Sequence, residues 1–310
     1  MRKQSKTIQC MLQDMSRQHQ LNKKWSTASL YSSVIIKINK FTKGKEIAVD
    51  EISSGWLKKF ESYLRASGSC WNTVSTYMRI LNAACHEAVI TNHATFRPLL
   101  FNKVYTGVVA DRENALDALQ MERLLKLSLD AESPLKPRLQ RTLQYFVLMF
   151  LLRGMPFVDM AFLKKSELKR GTIHYRRTKT GRPLIVELED EAIMLLHLLL
   201  NRDNSSPYLF PFIHYPDGSE KAYKEYKSVL RSFNNRLSTI AHILGINQKI
   251  TTYTARHTWV TIAFICNINT AVISQSVGHS SIKVTETYLK PFQQAAIKAA
   301  NKQVIQHVMQ

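Results

Sequence analysis

Apolar side chains recur at helical spacing along most of this 310-residue chain, and only residues 171–188 read as strand, turn, strand. A chain patterned this way is restricted to helices packed on helices, with one small β element inserted. Within 26–104, Ser26 or Thr27 is placed to cap a helix running to Phe41, with Leu30, Val34, Ile38 and Phe41 on one face. Residues 52–66 give a second amphipathic helix closed by Ser67-Gly68, and 72–88 a third carrying Val74, Met78, Leu81, Ala84 and Ala88. Residues 105–114 hold a glycine, mixed charge and no period, and read as a linker. The organisation expected is a short basic arm at 1–24, either a short helix or flexible, a helical domain at 25–108 and a second domain at 109–310. In the second domain, helices are expected at 115–129, 138–152, 189–200 and 223–244, with a tight turn at Thr180-Gly181 and an Ala-rich helix at 291–310.

Charge narrows the partner. The formal net charge is +20, with 16 basic and 6 acidic side chains in residues 1–110 and 27 and 17 in residues 111–310. An excess in both halves suits two domains facing a polyanion, most simply DNA or RNA. Cys10, Cys70, Cys85 and Cys266 form no CxxC pair, so neither a zinc site nor a disulfide framework is expected, and a reducing cytoplasm fits. No metal-binding or nucleotide-binding spacing is present, so no metal and no cofactor is expected. The N-terminal residues lack the apolar core of a signal peptide, and the longest apolar run, near 145–152, is too short to span a bilayer.

Chemistry concentrates in residues 253–288. Arg256 can fork two N–H donors onto a phosphate, with His257 beside it. His279 follows Gly278 at a turn or helix start, where it can donate a proton or a hydrogen bond. Tyr288 lies nine residues further on and can act as a nucleophile if cations stabilise its anion. Each alone has an ordinary reading: a surface ion pair, a turn residue, an aromatic anchor. Taken in order they suit attack on a phosphodiester.

That order, Arg-His-Thr, then Gly-His-Ser-Ser-Ile about twenty residues on, then Thr-x-x-Tyr, resembles the C-terminal half of the tyrosine recombinase (phage integrase) family. The likeness extends to integrases of bacterial mobile elements and to DNA invertases. It implies a helical SAM-like core-binding domain over 25–108 and a mixed α+β catalytic domain over 109–310. It also implies strand cleavage through a 3′-phosphotyrosyl bond on Tyr288, a Holliday junction intermediate, and a homotetramer on DNA joined by exchange of C-terminal helices. The tail has the plainer alternative of docking on its own core. A lysine in a Lys-Thr-Gly hairpin is catalytic in the family, which maps to Lys179; a solvated turn lysine is the plain reading. The family pattern G-L-R-x-[ST]-[DE] matches 154–159 through Gly154 and Asp159, but its arginine position is Pro156.

Arg153 is the nearest substitute. If the segment were helical, three residues would separate the two positions by about 60° and about 4.5 Å, within an arginine's reach; a bend at Pro156 is the other way in which Arg153 could take the role. Arg153 could instead pair with Asp159 or solvent. Tyr253 stands where the family has histidine in H-x-x-R, and can still donate to a phosphate. Asp159 and His257 are expected to brace the site. In the helical domain, Asn72, Thr73, Ser75 and Thr76, with Arg79 one turn on, are candidates for DNA contacts, Asn72 equally for a helix cap. Two rivals share these features: a type IB topoisomerase-like enzyme, and a DNA-binding protein whose catalysis is impaired by Pro156 and Tyr253.

Overall fold

The computed structural model describes residues 6–95, 97–108, 115–286 and 294–309. Tyr288 and most of the linker lie outside the described residues. Contacts divide these residues into two units: those up to 108 together with Gly218–Tyr223, and the remainder.

The first unit is all helical: α1 (Ile8–Leu21), α2 (Trp25–Phe41), α3 (Ser54–Ala66) and α4 (Trp71–Ile90). On α4 the apolar positions Val74, Met78, Leu81, Ala84 and Ala88 fall on one face, and all are buried with Phe60, Leu57 and Ile38. Residues 8–21 form the helix of the two alternatives, and it belongs to the helical core rather than standing apart as an arm. Ile8, Met11 and Leu12 of α1 are buried in the same core, because this helix has its own apolar stripe to cover. The cap of α2 also differs from expectation: Lys24 occupies the N-cap position, and Ser26 and Thr27 lie inside the first turn. Ala28, Tyr31, Val34 and Ile38 form its buried face, while Leu30 is exposed. α3 is capped by the Ser53 hydroxyl, which accepts from Trp56 N at 3.1 Å. A buried and a half-buried charge tie the ends of this unit down. Glu61 is ion-paired to Lys58 and accepts from Tyr105 N at 2.7 Å. Arg97 donates to the carbonyls of Val49, Asp50 and Ile52 at 2.7–3.0 Å.

The second unit begins with α5 (Ala118–Leu129), capped by an Asp117–Gln120 capping box. Pro137 opens α6 (Pro137–Leu151), and α7 (Phe157–Ala161) follows a turn. A three-stranded antiparallel sheet comes next: β1 (Leu168–Lys169), β2 (Thr172–Arg176) and β3 (Pro183–Glu187), in that order. β2 and β3 pair with Ile173 opposite Val186 and Tyr175 opposite Leu184. Then come α8 (Asp190–Leu199), α9 (Glu220–Ile243), α10 (Thr254–Ile265), α11 (Thr270–Ser276), α12 (Ile282–Glu286) and α13 (Gln294–Val308). α6 is the central helix, packed against α5, α8 and α10. Its Tyr145 joins Phe157, Phe210, Phe212 and Phe233 in an aromatic cluster with ring centroids 4.6–6.4 Å apart. Among the described residues no helix is long and apolar enough to cross a membrane.

Two local expectations fail here. The β2–β3 connection is not a two-residue turn. Arg177 N donates to Arg182 O at 2.9 Å and Gly181 N to Arg177 O at 2.8 Å, which leaves residues 178–181 as a four-residue loop. The segment 152–156 is not helical: Arg153 and Gly154 both adopt left-handed backbone, with φ of 56° and 66°. A helical offset therefore does not relate Arg153 to position 156.

Candidate active site

Three turns of the second unit meet around Arg256. The residue sits in the first turn of α10 and is 1 % exposed. Its guanidinium donates to Gly154 O at 3.2 Å and to Val277 O at 2.6 Å, bridging the 152–156 turn and the α11–α12 turn. Gly154 is there because nothing larger fits. A Cβ on it would lie 2.7 Å from the Arg256 Cα, and its φ is left-handed.

His279 occupies the α11–α12 turn, just after Gly278, whose φ is 67°. It is 5 % exposed, and its Nδ1 lies 2.8 Å from the Thr285 hydroxyl on α12. Burial, and then the charges of Arg256, Arg177, Lys179 and Arg182, hold the imidazole down at about 3, so it is neutral at pH 7.

The β2–β3 loop is latched onto the same turn. Thr180 Oγ1 donates to Gly278 O at 3.3 Å, and the Arg182 guanidinium donates to His279 O and, at 2.9 Å, to Ser280 O. Lys179, between them in sequence, is exposed. The root of the loop is held from inside. Asp159 on α7, 4 % exposed, accepts from Arg177 Nη1 at 2.6 Å and from Thr178 N at 2.9 Å. Beneath it Tyr175 is buried; burial and then the Asp159 carboxylate push its hydroxyl upward, against Arg177, Arg256 and Arg153.

The predicted residues therefore separate. Arg256, His279 and Lys179 converge on one place, and Asp159 braces the Lys179 loop. Arg153 is half-buried and adjoins the site through Gly154, but its Nη1 donates to Ile185 O on β3 at 3.2 Å. It does not pair with Asp159, whose partner is Arg177. Tyr253 is 42 % exposed at the N-cap of α10, with its ring 4.9 Å from that of His257, which is half-buried. Arg177 and Arg182 are site residues that motif matching missed. Arg177 had a signal: in Ile173-x-Tyr175-x-Arg177 the alternation of β2 carries on to a charge on the buried side just past the strand's end.

In the first unit, Cys70 rather than Asn72 is the N-cap of α4. Arg79 is exposed, and Asn72, Thr73 and Thr76 are half-buried, with the Thr76 hydroxyl donating to Asn72 O at 2.8 Å. Ser75 is fully buried and cannot touch DNA. Beside this turn Arg65 lies over the Trp71 ring at 4.6 Å, and Trp71 is 41 % exposed.

Comparison with known proteins agrees over both units. A family model described as phage integrase SAM-like domain matches residues 9–104, and one described as phage integrase family matches residues 114–295. The integrase of Staphylococcus phage L54a is 44 % identical over 52 residues. That match covers 17 % of this chain and 15 % of the phage protein. Among solved structures, Tn1549 transposon integrase (aa 82–397) in complex with circular intermediate DNA is similar with a TM-score of 0.67 at 16 % identity, covering 96 % of this chain and 99 % of that one. XerH site-specific recombinase bound to difH substrate gives 0.58 at 17 %, covering 89 % and 78 %. A lambda integrase (75–356) dimer bound to a COC′ core site gives 0.59 at 13 %, covering 85 % and 89 %. At these identities the structural likeness speaks for the fold.

Proposed function

The chain belongs to the phage integrase family, and on that premise we propose that it is a tyrosine-type, site-specific recombinase of double-stranded DNA. The observation that carries this reading is the convergence of Arg256, His279 and the Lys179 loop around one turn.

The Tyr288 hydroxyl gives up its proton to solvent as its oxygen attacks the scissile phosphorus, the P–O5′ bond breaks, and Lys179 gives a proton to the leaving 5′ oxygen and later regains one from solvent. The products are a 3′-phosphotyrosyl bond and a free 5′ hydroxyl. A 5′ hydroxyl from a second duplex reverses the step and joins the strands, so the bond energy is kept and neither ATP nor a metal is consumed. Arg256 stabilises the charge that builds on the non-bridging oxygens. His279, neutral at pH 7, acts as a hydrogen-bond donor through Nε2 in the tautomer whose Nδ1 accepts from the Thr285 hydroxyl 2.8 Å away. Asp159 and His257 brace these groups, and Tyr253 can donate to the phosphate. Asn72, Thr73, Thr76 and Arg79 face DNA from the helical unit. In the wider reading the enzyme works in the cytoplasm for a mobile element. It passes through a Holliday junction as a homotetramer joined by α13, whose Val304, Ile305 and Val308 are exposed.

The test uses a supercoiled plasmid carrying the DNA that flanks the chain's own gene, in EDTA. An SDS-resistant protein–DNA adduct is expected from the wild type and none from Tyr288→Phe. Retarded DNA without any adduct would instead favour a binding protein, and relaxation without strand exchange a topoisomerase.

A further inference from the structure

Resting on the recombinase reading, we propose that Arg177 is a further phosphate-binding residue of this site, supplying a second guanidinium beside Arg256. Three observations carry it.

The first is its burial. Arg177 continues the inward face of β2 after Ile173 and Tyr175 and is only 5 % exposed. Placing a guanidinium there is costly unless it is fully engaged. One Nη donates to Asp159 at 2.6 Å, but Nε is buried with no hydrogen-bond partner among the described residues. The carboxylate leaves Arg177 only partly satisfied, since its other oxygen is taken by Thr178 N.

The second is the charge balance. Around the buried Tyr175 hydroxyl the Asp159 carboxylate acts against Arg177, Arg256 and Arg153; around His279 the acting charges are Arg256, Arg177, Lys179 and Arg182. A place where one carboxylate faces several cations favours a further anion. The phosphodiester is the anion that the reading supplies.

The third is position. Asp159 is the third residue of α7, and Pro156 is its N-cap. N-cap and third-residue side chains are neighbours at a helix start. A guanidinium held on Asp159 therefore lies next to position 156, where the family resemblance implies an arginine and this chain has proline. Arg153 adds its charge around Tyr175, but its guanidinium is engaged on another face. Its Nη1 is on Ile185 O, and with Arg182, Ile185 and Val272 it lines a cleft of about 830 Å³ that Arg256, Lys179 and His279 do not line.

The experiment measures the rate of SDS-resistant adduct formation on the supercoiled plasmid described above, for full-length protein. Arg177→Ala is expected to slow it ~100- to 1,000-fold and Arg153→Ala by no more than about threefold, the scale set by losing one transition-state donor. Millimolar methylguanidinium should restore Arg177→Ala, and methylurea, which has a similar shape but no charge, should not. If Arg177→Ala does not fold, Arg177→Lys keeps a cation for Asp159 but not the fork, and should still be slowed at least ~10-fold. Unchanged rates in both Arg177 variants, equal rescue by methylurea, or loss carried by Arg153→Ala instead would overturn the assignment. A wild type without adduct, or an adduct surviving Tyr288→Phe, would sink the recombinase reading itself.

Discussion

Gly154 shows how tightly the site is built around single atoms. Its missing Cβ is what lets the 152–156 turn touch the α10 backbone at Arg256. Gly154→Ala should destabilise the protein by about 2–4 kcal/mol, left-handed strain and overpacking together, as read by urea denaturation. Gly181→Ala in the β2–β3 loop has open space around its Cβ and should cost only about 1–2 kcal/mol for its left-handed φ. His279 makes a different prediction. Its folded-state value of about 3 lies below the ordinary 6.5, so the unfolded chain takes up the proton first. The native state therefore loses stability as pH falls from about 6.5 toward 3, with no penalty above that window. His279→Gln should remove this component, so the wild-type-minus-variant difference in urea midpoint should change between pH 7.5 and 5. A constant difference would contradict a neutral, buried imidazole. Arg256 and His279 were legible in the sequence because their neighbours in the chain spell the motif. Arg177 was legible only as an anomaly, since its partner Asp159 stands eighteen residues away.

The β2–β3 loop is the element on which the site depends most. Asp159 secures its root, and Thr180 and Arg182 secure its tip to the Gly278–Ser280 turn. Asp159→Ala would strand the Arg177 guanidinium without its carboxylate, which should cost about 3–5 kcal/mol. Amide hydrogen exchange should show the loss concentrated at residues 176–182, and protection there unchanged from wild type would refute the bracing role. The sequence marked these residues as strand, turn, strand, and Gly181 as the turn glycine. Turn length escaped it, because Thr178 N and Gly181 N bond to Asp159 and Arg177 rather than across a two-residue turn. The helix ends at Leu152 as expected, so the helical offset considered for Arg153 does not apply; the left-handed pair at 153–154 is fixed by its contact with α10.

Charge spread over both units sets the behaviour of the protein toward DNA. With an excess of basic side chains in each half of the chain, affinity for a labelled duplex should fall steeply with salt. A loss of about 10³- to 10⁵-fold between 50 and 200 mM is expected if six to ten phosphates are contacted. Arg79→Ala should weaken binding evenly across sequences and reduce the salt slope by about one. Fluorescence anisotropy over a salt series measures both, and a flat response would argue against a phosphate-dominated interface.

Local spacing was enough to write most of the helices, the β-hairpin, the basic character and Arg256 and His279 as candidates, since each is encoded within a few turns of chain; Lys179 was reached only through the family resemblance. Tertiary packing alone decided the rest. It buried α1 in the helical core, because an apolar stripe needs a surface to cover. It turned Arg153 onto β3 and set Arg177 against Asp159, because a charge withdrawn from water takes whichever partner the fold brings within reach, however distant in the chain.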